Sequence, residues 1–277
     1  MVGVGEGRPA VNSGAAALDW RASLKRERTF LGISALLFLV SGWLTIDKCR
    51  SMAGGMPMLG GWTMSMAWMR MAGQTWLAAA TSFMGMWTVM MVAMMLPSLV
   101  PVLLCYRRAI RGQPDSTLGR LTTIAAAGYF FVWAIAGMVA YPIGVSLSAA
   151  EMRSLALQRF VPLATGILLL LAGSIQLTPW KARRLMRCRH APVCAPASRT
   201  TPAAWKHGLC LGMDCSLCCV GLMIVLIVTG VMSLPNMAVV TAAITAERLA
   251  CHPERIARVI GVVIIVSSLL VITRAVG

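Results

Sequence analysis

The chain has 277 residues, 58% of them hydrophobic and 12% charged, with 25 basic against 9 acidic side chains. Its mean hydropathy of +0.77 excludes an ordinary soluble globular domain. The net charge of +16 does not mark a nucleic-acid binder, because the basic residues gather in short segments between apolar runs.

Residues 1–28 form a polar, Gly/Ala-rich tail ending in Lys25, Arg26 and Arg28, and the first apolar run follows at 30–46. This pattern predicts a cytoplasmic tail and a first membrane helix. A cleaved secretory leader fits less well, since the charged tail is long and no small-x-small site closes the run. Further spans are expected near 79–104, 121–147, 160–179, 208–232, 234–250 and 258–276. A hydrocarbon core of about 30 Å takes roughly 20 helical residues, and lipid-exposed backbone must bond to itself. The expected fold is therefore an all-α, polytopic transmembrane bundle of seven spans over 29–277, with no separate soluble domain.

With the amino terminus inside, 19 of the 25 basic residues fall in cytoplasmic segments. That bias predicts an inner-membrane, multi-pass protein with an external carboxyl terminus. The lipid bilayer is its first partner, and nucleic acid is not one.

In the fifth span Asp214 and Cys215 precede Cys218 and Cys219, with His207 and Cys210 just upstream. At about 100° per residue, His207, Cys210, Asp214 and Cys218 form one stripe, and Cys215, Cys219 and Met223 the neighbouring one. Thiolates are soft ligands for Cu(I), zinc or iron-sulfur centres. Free cysteine also packs comfortably as a small apolar residue. Asp214 tilts the balance, because a carboxylate inside a span is costly and marks a functional site by default.

Methionine is also in excess: 21 in all, seven of them between Met52 and Met71. Thioethers suit Cu(I), while Met and Trp together can equally anchor a segment at the lipid surface. The expected topology puts Met94, Met95, Gln176, His207, Cys210, Asp214, Cys215, Cys218, Cys219 and Glu247 at one depth, in the cytoplasmic half. The candidate metal ligands are Cys215, Cys218, Cys219, Cys210, Asp214, His207, Met94 and Met95, with Cys188 and Cys194 able to join them. Copper is the favoured metal, with zinc and iron as alternatives. No P-loop, dinucleotide fingerprint, hydrolase elbow or H-E-x-x-H run points to a known catalytic chemistry.

From the second span onward the chain resembles a family of bacterial predicted metal-binding integral membrane proteins of poorly defined activity. The resemblance rests on A-M-M-L-P-S-L-V-P from Ala93, G-Y-F-F-V-W from Gly128, Q-L-T-P-W-K from Gln176, C-R at Cys188, and C-S-L-C-C-V-G-L-M from Cys215. It continues in G-V-M-S-L-P-N-M from Gly230 and in Glu247. The chain departs from the pattern at Leu217 and Val220, and at Arg184, where a cysteine is expected; Met213 and Asp214 are also unusual. The resemblance implies a metal site on the cysteine-rich helix and a small soluble partner. The leading expectation is an integral membrane metal-binding protein for copper or another thiophilic ion. The alternatives are a membrane subunit of a metal-dependent oxidoreductase within a larger membrane complex, a metal or proton-coupled transporter working through Asp214 and Glu247, and a scaffold for a soluble partner.

Overall fold

A computed structural model describes residues 27–51, 56–57, 63–64, 68, 73–110, 113–190, 200–250 and 252–276. The expected tail, most of the methionine-rich segment and Cys194 lie outside the described residues. Among those described there are eight helices: α1 (Arg28–Ser51), α2 (Trp76–Ala109), α3 (Asp115–Arg153), α4 (Leu155–Leu177), α5 (Pro179–His190), α6 (Thr201–Gly230), α7 (Leu234–Leu249) and α8 (Pro253–Val276). A two-residue antiparallel ladder, β1 (Met56–Pro57) with β2 (Thr63–Met64), lies between α1 and α2.

Six helices are long and apolar enough to cross a membrane: α1, α2, α3, α4, α6 and α8. The expected sixth span, 234–250, is α7, and its 16 residues cover only about 24 Å at 1.5 Å each. It is the one expected span that falls short of that length. The basic segment expected as a loop from Lys181 begins instead as α5, with the sequence P-W-K-A-R-R-L-M-R-C-R-H. Charge hid this helix from a hydropathy reading. Leu185 and Cys188 sit on its inner side, where they pack against Cys218 and Ala257.

Burial and exposure are inverted relative to a soluble bundle. Leu36, Leu39 and Trp43 on α1 are exposed, as are Val139, Ile143 and Leu147 on α3 and Val259, Val263 and Leu270 on α8. Such apolar outer faces suit lipid rather than water. The core is centred on α2, α3 and α6, where Met90, Met91, Met94, Met95, Tyr129, Cys215, Cys219 and Leu222 are all buried.

Thr75 caps α2 by accepting a hydrogen bond from the Ala78 amide at 3.2 Å. Pro97 and Pro101 lie inside α2, and each removes the amide that would bond four residues back. Close backbone approach joins α3 to α6. A Cβ added at Gly208 would lie 2.1 Å from the Ala125 carbonyl oxygen, and one at Gly212 would lie 2.9 Å from that of Tyr129. Small residues at i and i+4 are what let membrane helices meet at backbone distance. Chain direction follows from similar contacts between α4 and α8: Gly166 faces Ile272, and Gly173 faces Ile265. These two helices therefore run antiparallel.

Candidate metal centre

The Gly208–Gly212 seam sets the height of α3 against α6 and so brings Tyr129 opposite Cys215. Tyr129 Oη and Cys215 Sγ are 2.9 Å apart, and Cys215 Sγ lies 4.0 Å from Cys219 Sγ, one helical turn on. Both thiols are buried, at 0% and 1% exposure. Cys218, on the adjoining face of α6, interacts with Cys219 and with Cys188 of α5. Cys188 also donates to the Asp214 carbonyl oxygen at 3.1 Å. Its hydrogen bond to Cys218, together with burial, holds the Cys188 thiol well above the usual cysteine range.

The four sulfurs thus form a row, Cys215–Cys219–Cys218–Cys188, running from the core of the bundle to α5. Among the described residues, no three His, Cys, Asp or Glu side chains are grouped so as to enclose one ion. A pair is a different matter. Two thiolates each about 2.3 Å from a metal can be up to about 4.6 Å apart, so the 4.0 Å between Cys215 and Cys219 suits one ion held between them. The donor set also fits: thiolate sulfur, with the thioethers of Met94 and Met95 in the same core, selects Cu(I) over hard cations.

Two cations flank the row. The Lys181 ammonium donates to the Cys218 carbonyl oxygen at 2.6 Å and to Glu247 Oε2 at 2.7 Å, and Gln176 Nε2 donates to Glu247 Oε1 at 2.7 Å. Burial works against the Lys181 charge, but the facing Cys218 and Glu247 outweigh it and hold the ammonium above the ordinary lysine value. The Arg248 guanidinium lies beside Tyr129 and Cys188 in one small cavity. Arg248 donates to Ser98 Oγ at 3.3 Å, and its buried Nε has no hydrogen-bond partner among the described residues. Arg248, Tyr129, Cys188 and Asp214 line a small cavity closed by Leu99, Val102 and Leu211.

The candidates named from sequence divide into two groups. Cys215, Cys218, Cys219 and Cys188 come together, with Met94 and Met95 in the same core and Gln176 and Glu247 beside them. Asp214, His207 and Cys210 do not join the thiols. The Asp214 carboxylate turns to Arg184 at 3.5 Å, with both groups about a quarter exposed. His207 stacks on Tyr106, with ring centroids 4.8 Å apart, and Cys210 is exposed. Arg184 and Asp214, both unusual against the family pattern, are thus each other's partner.

Tyr129, Lys181 and Arg248 were not picked out as site residues by the sequence. The signal for Tyr129 was its place in the Gly128–Trp133 motif. The two cations sit at the edges of apolar runs, where they read as topology.

The PpoB2 family, described as a copper chaperone, matches residues 84–271, more than half of the chain and all of the thiol row. No curated protein and no solved structure gives a match. The chain therefore belongs to the PpoB2 copper-chaperone family.

Proposed function

We propose that this protein is an integral membrane copper chaperone whose cargo, Cu(I), is held between Cys215 and Cys219 and passed through Cys218 and Cys188. The observation that carries this reading is the 4.0 Å pair of fully buried thiols in a chain of a copper-chaperone family. Electrostatics supports it. A Cu(I) ion with two thiolates is a complex of net charge −1. Burying such an anion is costly unless it is paired. Lys181, Arg248 and Glu247 together contribute +1 beside it, which cancels the charge.

Transfer along the row needs no redox step. An incoming thiol gives up its proton and bonds the ion, the outgoing sulfur takes up a proton, and copper stays in the +1 state throughout. Cys188 at the α5 end would be the exit. The exposed Arg183 and the partly exposed Arg184 of α5 favour an acidic soluble acceptor there by charge complementarity. The transporter alternative relied on Asp214 and Glu247 as coupling groups, and both carboxylates already have cationic partners.

The test is copper analysis of the purified full-length protein beside a C215S/C218S/C219S variant, both loaded anaerobically with Cu(I). The wild type should retain copper that the variant loses, and X-ray absorption should show sulfur ligands only. Equal copper in both proteins sinks the assignment.

A further inference from the structure

A second group of sulfurs lies at the other end of the bundle. Cys49 is in the last turn of α1, Met232 in the turn between α6 and α7, and Met237 in the first turn of α7. Cys49 Sγ is 3.9 Å from Met232 Sδ and 3.9 Å from Met237 Sδ. Cys49 and Met237 are buried, at 4% and 5% exposure. Met232 packs half-buried against the same core.

We propose that Cys49, Met232 and Met237 form a second Cu(I) site, separate from the thiol row. Three sulfurs placed trigonally about one ion at about 2.3 Å are about 4.0 Å from one another, which is the spacing Cys49 keeps to both methionines. The ligand set selects the ion, since one thiolate with two thioethers is soft, binds Cu(I), and offers nothing to magnesium or calcium. Such a complex is neutral and can be buried without a counter-ion. Two segments far apart in the chain supply the ligands, Cys49 from α1 and Met232 with Met237 from the turn into α7 and its first turn, so the convergence is not a by-product of cysteine spacing on one helix.

Cys49 also lies outside the residues that match the family, 84–271, so the family match does not assign the trio. In sequence Cys49 is followed at once by the methionine run from Met52 to Met71, a series of further thioethers that can deliver the same ion. Met232 lies about 20 Å along the chain axis from Cys218, at 1.5 Å per helical residue, so the two sites load independently. The choice of copper rests on the reading given above, whereas the site rests on the three sulfurs.

The experiment is an anaerobic Cu(I) titration of the full-length protein against a chromogenic Cu(I) chelator, followed by elemental analysis. It compares wild type with M232L/M237L, C49S and C215S/C218S/C219S. Leucine for methionine keeps volume and apolarity, so the double variant should fold; unchanged elution on gel filtration checks this, and C49S is the independent second test. M232L/M237L and C49S should each lose about one copper equivalent, while C215S/C218S/C219S retains that equivalent with a sulfur-only shell. If M232L/M237L and C49S both bind copper with wild-type stoichiometry and affinity, the site does not exist. If the thiol variant alone matches wild type, the reading of the thiol row fails and this one stands.

Discussion

Lys181 shows how far a residue's role can depart from its appearance in the chain. In sequence it is one of seven basic residues between Lys181 and Lys206, all assigned to an inner loop. In the fold it is 1% exposed and ion-paired with Glu247 at 2.7 Å. Removing one partner of such a pair strands the other charge, at a cost of about 3–5 kcal/mol. K181M should therefore lower the thermal midpoint sharply, and K181M/E247M should recover much of the loss; equal melting of the single and double variants would contradict the pairing. Asp214 is the reverse case. The expected cost of a carboxylate in a span tilts the balance towards a functional site and makes Asp214 a candidate ligand beside the thiols, yet its side chain is partly exposed beside Arg184. A pair that open is worth about 0–1 kcal/mol. D214N should melt within that margin of wild type and keep its full copper content, and copper loss in D214N would restore Asp214 as a ligand. The thiols were legible because residue type and spacing along one helix suffice to find them. Tyr129 and Arg248 were not, because their relation to Cys215 depends on how separate helices meet.

At the level of helices, the contact that matters most is the α3–α6 seam. Periodicity can show that Ala204, Gly208 and Gly212 share one face of α6, but it does not say which helix covers that face. The structure gives α3, with Gly208 against Ala125 and Gly212 against Tyr129. A methyl group at Gly208 would sit 2.1 Å from a carbonyl oxygen, and backbone cannot yield as a side-chain tip can. G208A should cost about 1–3 kcal/mol through overpacking. It should also weaken Cu(I) affinity, because the separation pulls Tyr129 away from Cys215. G85A is the matching control, since a Cβ there meets nothing within 4 Å. A G208A protein with wild-type melting and copper affinity would show that the seam does not position the site. Charge composition is why α5 is expected as a loop: five basic residues among twelve mask an apolar side that only Cys218 and Ala257 reveal.

On the scale of the whole molecule, α7 is the element that links the two sulfur groups. Seven crossings are expected from the hydropathy pattern, and α7 is the shortest of them, with 16 residues. Its contacts settle its course within the bundle. Met237 near its start touches Cys49, and Glu247 near its end pairs with Lys181 beside Cys218. So α7 carries the chain from the Cys49 end to the thiol end of the bundle, over about 24 Å. Packing against α2, α6 and α8 shields much of it, and local thinning of the bilayer or the flanking residues can absorb its short length. The α8 helix then returns antiparallel to α4. The chain consequently finishes at the end of the bundle opposite to Arg28, as the expected seven crossings require. Protease-cleavable tags ahead of Met1 and after Gly277 test this in membrane vesicles. The carboxyl-terminal tag should be cleaved in right-side-out vesicles and the amino-terminal tag only in inverted ones. Cleavage of both tags from the same side would mean that the chain crosses an even number of times, so that Cys49 and the Cys188 end no longer lie at opposite surfaces.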